Sequence, residues 1–358
     1  MKIRFFLTIP LIIALLIVSC KDTSTVDPGT STPTGTVKDC SSLTGIAKLI
    51  CLSENVKATL SSSQVASLQL NYSKADALKW SNFPQALTQN KRVGLQFSSL
   101  SSSQLEAVKL LIKEAMGTMT NEGYDEAMQI LAADDFLNVN GGGSIYGSGN
   151  YFIAFLGTPS TTGLWELQFG GHHLAVANTY NAGKLIGATP SFRSVEPMAA
   201  FEQGGKTNQP MIQEQIALAN FLKSINTSQT ATAKSSATFG DLILGPGKDG
   251  QFPTTKQGLK GSELSASQKE LLITALKTYI QDVDDINATT ITAKYTSELN
   301  DTYVLFSGTN TLETKGDYMR IDGPSVWFEW STQGGIVIRN ANHPHTIWRD
   351  RTGDYGGN

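Results

Sequence analysis

The sequence predicts an α+β fold made of two related halves, each a helical layer packed on an antiparallel sheet, with a helical N-terminal extension in front. Three observations lead there. The start Leu60-Ser61-Ser62-Ser63-Gln64 recurs as Leu100-Ser101-Ser102-Ser103-Gln104 and as Leu264-Ser265-Ala266-Ser267-Gln268. An amphipathic stripe follows the second and third starts, and β-type segments then lead to two pairs of histidines at similar distances, 68 residues from Gln104 to His172 and 75 from Gln268 to His343.

The first 19 residues carry Lys2 and Arg4, an apolar run from Phe5 to Val18, and Ser19 ahead of Cys20, the pattern of a secretory signal. The run is shorter than the roughly 20 apolar residues of a permanent membrane helix. Ile17-Val18-Ser19-Cys20 resembles the bacterial lipobox, in which the cysteine is acylated and becomes the new N-terminus. The expected product is an exported protein of the cell envelope, anchored to a lipid bilayer through Cys20 on the extracytoplasmic side. Residues 21–39 contain 12 Ser, Thr, Pro or Gly among 19 and are expected to form a flexible tether with a reach of roughly 25 Å.

Loss of residues 1–19 moves the formal net charge from -3 to -5. A chain with no basic surplus has no footprint for nucleic acid and no polybasic patch for anionic lipid, so attachment rests on the acyl chains. Outside the cytoplasm Cys40 and Cys51 can oxidise, and the favoured reading is a disulfide between them. Residues 40–90 are read as the helical extension, and 91–358 as the duplicated unit, with halves at about 91–230 and 231–358.

Ser-x-x-Gln is a capping box: the serine oxygen takes the N3 amide, and the glutamine returns to the N-cap amide. After Gln104 the stripe is Leu105, Val108, Leu111, Ile112 and Ala115; after Gln268 it is Leu271, Leu272, Ala275, Leu276 and Tyr279. Strand-like segments follow at Tyr151 to Leu156, Leu164 to Phe169 and Leu174 to Tyr180 in the first half. Those of the second half are Tyr303 to Ser307, Tyr318 to Asp322, Val326 to Trp330 and Ile336 to Arg339. A pseudo-twofold between such halves would bring the histidine pairs together.

From about Asn82 onward the chain resembles the bacterial family called domain of unknown function 3500. The resemblance is carried by Arg92-Val93-Gly94-Leu95, Gly170-Gly171-His172-His173-Leu174, Pro190-Ser191-Phe192 with Glu196-Pro197, Tyr318-Met319-Arg320-Ile321-Asp322-Gly323-Pro324, and His343-Pro344-His345-Thr346-Ile347-Trp348-Arg349-Asp350. It implies no activity. The family's pattern often has a residue other than proline between the last two histidines, and Pro344 calls the local strand pairing into question because it lacks an amide donor.

Familiar catalytic signatures fall away. Gly245-Pro246-Gly247-Lys248-Asp249-Gly250 fits a dinucleotide glycine pattern, but Pro253 stands where its helix should open. Gly205-Lys206-Thr207 has Ala200 where a phosphate loop needs its first glycine. Asp134-Asp135 and Asp284-Asp285 read as solvated helix ends. The histidines differ: the chain has 4, and they are His172-His173 and His343-x-His345 with none elsewhere. Imidazole is a common ligand of zinc and copper.

On a regular strand His343 and His345 share a face, whereas His172 and His173 point apart, so at most three of the four would converge. A break near Gly170-Gly171 would admit all four. Glu196, Glu329 and Asp350 are candidate fourth ligands, imidazole-orienting partners or bases, with Arg349 ordering the site. Three classes of function remain. One is a metal-capturing or sensing lipoprotein with a closed zinc or copper site, and another a metal-dependent hydrolase with an open one. The third is a metal-free lipoprotein that binds a small molecule beside Trp165, Trp327, Trp330 and Trp348, its histidines structural.

Overall fold

The computed structural model describes residues 35–89 and 91–357. The signal segment, Cys20 and the tether up to residue 34 lie outside the described residues. Gly35 to Asp39, the end of the expected tether, is tied down: Gly35 donates to Ala58 O at 3.2 Å, and the Lys38 amide and carbonyl are bridged by the Asn55 carboxamide at 2.7 and 2.8 Å. Cys40 and Cys51 are joined by a disulfide. No helix among the described residues is long and apolar enough to cross a membrane.

The extension is helical and begins with α1 (Gly45–Thr59) and α2 (Ser62–Leu68), followed by the two-residue strand β1 (Gln69–Leu70) and the short α3 (Lys74–Ala77). Then come β2 (Leu95–Gln96), α4 (Ser102–Ala115), α5 (Gly123–Leu137), β3 (Phe152–Leu156), β4 (Trp165–Gly171), β5 (Leu174–Asn181), β6 (Lys184–Gly187) and β7 (Ser191–Ser194). A hairpin of β8 (Phe201–Gln203) and β9 (Lys206–Asn208) leads to α6 (Ile212–Ser224) and α7 (Thr227–Ala233). The chain continues through β10 (Leu259–Lys260), α8 (Ala266–Ile280), α9 (Asp285–Glu298), β11 (Tyr303–Ser307), β12 (Tyr318–Asp322), β13 (Val326–Gly334) and β14 (Asn342–Asp350). The expected boundary at 230/231 therefore falls inside α7.

One continuous sheet of 12 strands replaces the two expected sheets, because β7 and β14 pair antiparallel at its centre. Outward from that pair the order is β5, β4, β3 on one side and β13, β12, β11 on the other, with β2 on β3 and β10 on β11. β1 joins β3 in parallel through Gln69 and Phe155, and Lys234 makes a parallel bridge to Phe306 at the opposite rim. Each rim also has a glycine that no side chain could replace: at Gly94 (φ +98) and Gly258 (φ +102) a Cβ would stand 2.2 Å from Ile153 O and Val304 O.

The capping boxes form as the sequence predicts, at Ser61/Gln64, Ser101/Gln104 and Ser265/Gln268. Asn226/Gln229 makes a fourth, its asparagine hiding the pattern from a search for serine. Gln64 and Gln104 exchange side-chain hydrogen bonds at 3.3 and 3.2 Å, and Gln229 and Gln268 do so at 3.0 and 2.9 Å. These pairs join the start of α2 to that of α4 and the start of α7 to that of α8, and α1 packs on α4 as α6 packs on α8.

Strand side chains alternate between faces. The helix-facing set includes Phe328, Trp330 and Trp348, which join the core made with α6, α8 and α9, while α1, α4 and α5 enclose the core under β3 to β5. The opposite face is covered by two long segments, 71–89 and 235–258, which place Trp80 and Leu242 over Ala175, Phe192 and Ile347. Ile336 to Arg339 is a turn and not the expected strand. Its amides leave the ladder because the Glu196 carboxylate takes those of Ile336, Val337 and Ile338 at 2.7, 2.8 and 2.7 Å.

Candidate metal centre

His172 and His173 form the two-residue turn between β4 and β5, closed by the Gly171–Leu174 pair. His173 has φ +62, a left-handed conformation that costs a non-glycine residue roughly 1–2 kcal/mol. Its carbonyl accepts the Ser194 amide at 3.0 Å, and its own amide donates to Asn82 O at 3.2 Å. The cover segment is locked to this turn by Arg92, whose guanidinium donates to Ser81 O, Phe83 O and Gly171 O at 2.5, 2.8 and 2.6 Å. Tyr151 donates its hydroxyl to His172 O at 2.5 Å.

The register explains how distant histidines meet. Leu174 stands opposite Arg193 on β7, and Arg193 stands opposite Thr346 on β14, so one step along places His173, Ser194 and His345 in a row. Ser194 is small, and the flanking imidazoles close over it. His343 follows two residues from His345 on the same face. Pro344 does not break the strand: it pairs with Thr332 of β13, and its carbonyl accepts from Ser194 Oγ. The position where an amide would sit points the same way, toward the end of β7, so no bond to β13 is lost.

His173, His343 and His345 each offer a ring nitrogen within 4.8 Å of the others. His343 Nε2 is 3.3 Å from His345 Nε2, and the His173 ring centroid lies 5.2 and 5.5 Å from those of His343 and His345. His172 does not point to the opposite face as a regular strand would require. In the turn it stacks on His173, centroids 3.7 Å apart and planes at 27°. All four histidines are buried, at most 8% of each residue exposed. Burial, followed by the neighbouring imidazoles, drives His173 well below the ordinary histidine range and His343 down to about 2. Both are neutral at physiological pH, the form that binds metal.

Two acids that the sequence did not mark orient the rings. Asp241 accepts from His345 Nδ1 at 2.9 Å, which holds that ring with Nε2 toward His343. Asp134 accepts from His172 Nδ1 at 2.6 Å while its other oxygen takes the Gly147 amide at 2.8 Å. Asp134 is thus buried structure and not a solvated helix end; Asp284 does cap α9 as expected. His343 Nδ1 is buried and has no hydrogen-bond partner among the described residues. Three converging imidazoles, one backed by a carboxylate, form a donor set that could hold a metal ion.

The other expected partners act at one remove. Glu196 holds the turn before His343 through its three amides. Glu329 accepts Ile243 N and Leu244 N at 2.6 and 2.8 Å, with Tyr318 and Trp327 completing its carboxylate. Arg349 donates to Leu244 O and Gly245 O and pairs with Asp249 and Asp354. Glu329 and Arg349 therefore fasten the loop that presents Asp241 and touch no imidazole. Asp350 is occupied by Lys294, Tyr295 and Thr352 away from the histidines. Nor do the tryptophans surround the site: Trp165, Trp330 and Trp348 lie in the helix-facing cores, and Phe192 is the aromatic side chain edge-on to His345.

The two pairs also occupy different kinds of place, a turn between strands for His172-His173 and the central strand β14 for His343 and His345. The turn that mirrors β4–β5 across the sheet is Gly323-Pro324-Ser325, between β12 and β13. The similar spacings of 68 and 75 residues therefore do not mark matching positions. No curated protein and no solved structure matches the chain. The family described as Protein of unknown function (DUF3500) matches residues 43–357, which include every strand of the sheet and all four histidines, and the chain belongs to that family.

Proposed function

We propose that His173, His343 and His345 bind one transition-metal ion, zinc or copper, in an exported lipoprotein anchored through Cys20. The observation that carries the reading is the convergence of three buried imidazoles from two parts of the chain about 170 residues apart, with Asp241 orienting one of them. Both ions accept several imidazoles, and Zn–N bonds of about 2.0–2.1 Å are compatible with nitrogens spaced as these are. The export signal and lipobox support the localisation, and a bonded Cys40–Cys51 pair suits an oxidising compartment.

The same reading takes the chain as a duplicated unit whose halves meet at β7 and β14. The mirrored strand order, the two glutamine pairs and the two rim glycines support it. In that case α1 and α2 belong to the first half, and the seam lies between β9 and α6.

Three protein ligands leave coordination positions open, which is the arrangement a metal-dependent hydrolase needs. A metal-free alternative has its own observation: with Nδ1 of His345 engaged by Asp241, His343 Nε2–H can donate to His345 Nε2 across the same 3.3 Å. Metal analysis of natively purified protein beside a His343→Ala/His345→Ala variant separates the two. About one equivalent in the parent and none in the variant supports the metal; equal content leaves the hydrogen-bonded histidines.

A further inference from the structure

Arg193 and Ser194 are neighbours on β7 and face opposite sides of the sheet. Behind the histidine row, on the helix side, Arg193 is enclosed by four acids from three places in the chain. Its Nε donates to Glu126 Oε2 of α5 at 3.1 Å, and its Nη2 lies 2.9 Å from Asp282 Oδ2, just past α8. Glu122 precedes α5 and accepts from Gln213 Nε2 at 2.5 Å; Glu214 lies in the first turn of α6. Tyr279 of α8 contributes the remaining titratable group.

All four carboxyl groups are buried, Glu214 to 1% exposure. Among the described residues no second cation bonds any of them. Glu122 Oε2, Glu126 Oε1 and both oxygens of Glu214 have no hydrogen-bond partner. Four carboxylates against one guanidinium would leave three uncompensated buried charges, a state that buried acids avoid by taking up protons. Asp282 is the member best suited to stay ionised, since it meets Arg193 and accepts the Gly123 amide at 2.7 Å.

We propose that the protein folds around three retained protons, on Glu122, Glu126 and Glu214, with Asp282 as the carboxylate of the Arg193 ion pair, so that the cluster is an alkali-sensitive latch. One proton neutralises Glu126 beside the ion pair, and the remaining two neutralise the carboxyls that Arg193 does not reach. The latch joins α5, β7, α6 and the α8–α9 link, where Gly117 N donates to Asp282 O at 2.9 Å. Burial first, then the neighbouring acids, raises Glu126 and Glu214 well above the carboxylic range and Glu122 to about 10. A folded-state pKa above the unfolded one gives stability that is complete below about pH 4.3 and lost as pH rises toward the folded value. Each retained proton makes the unfolding constant grow about tenfold per pH unit in that window.

The direct test is proton release on unfolding of the full chain at about pH 8, well above the range in which unfolded carboxyl groups titrate. Release of about three protons is expected, and release of none overturns the latch. The companion is Glu214→Gln, unfolded by denaturant between about pH 6 and about pH 9. Its unfolding constant should rise about tenfold less per pH unit than the parent's, and the variant should outlast the parent at the alkaline end. Equal slopes overturn the proposal. So does alkaline stability restored to the parent, but not to the variant, by millimolar magnesium or calcium, which would make the cluster a cation site.

Discussion

Asp241 stands behind His345, its carboxylate 2.9 Å from Nδ1, so the opposite nitrogen of that ring is aimed at His343, 3.3 Å from its Nε2. The carboxylate is itself delivered by a loop whose next residues are fastened to Glu329 and Arg349. Removing such a partner lowers metal affinity by about 10–100-fold in comparable sites. Asp241→Ala should show a loss of that size in a competition titration with a chromophoric chelator. Asp241→Asn, which can still accept from Nδ1–H, should lose less. Equal affinity in all three proteins would remove Asp241 from the site.

His172 and His173 should separate cleanly. His173→Asn keeps a residue that tolerates the left-handed turn, so folding stability should stay within about 1 kcal/mol while metal binding collapses. His172→Ala strips the partner from buried Asp134, which costs about 1–3 kcal/mol, yet leaves three ligands in place. Denaturant unfolding and metal titration of both variants check this. Retained binding in His173→Asn would mean that His172 is the ligand.

Burial holds His343 near 2, far below the unfolded value of about 6.5, so the folded chain binds fewer protons than the unfolded one in acid. The contribution is present above about pH 6.5 and lost as pH falls toward the folded value, by up to about 1.4 kcal/mol per pH unit for one imidazole. Metal-free protein should therefore lose stability between about pH 6.5 and about pH 5, and His343→Ala should lose less over the same interval. Parallel acid profiles for the two would contradict a neutral His343 in the fold.

Gly94→Ala and Gly258→Ala should both destabilise by more than about 2 kcal/mol, since each combines positive φ with a Cβ driven into a carbonyl oxygen. Thermal unfolding of the two variants checks this. A large effect at one position and none at the other would weaken the duplication.

Much of the fold was legible because local signals agreed with tertiary demands. The capping boxes and apolar stripes located α4 and α8, and alternating segments located β3 to β5 and β11 to β13. Ile336 to Arg339 misled because β-branched residues look like a strand, whereas their amides answer to Glu196, 140 residues away in the chain. The histidine cluster could be anticipated from its isolation in composition. Its orienting acids could not, for Asp241 and Asp134 are ordinary acids 104 and 38 residues from the rings they hold. The stacking of His172 on His173 depends on a turn, where the two-residue alternation of a strand no longer applies.

The central claim is that three imidazoles share one ion, and X-ray absorption at the metal edge of the loaded full-length chain tests it most directly. The account predicts three histidine nitrogens at about 2.0–2.1 Å, with imidazole outer-shell scattering that disappears in His343→Ala/His345→Ala. A spectrum dominated by oxygen ligands, or one unchanged by the double substitution, would contradict it.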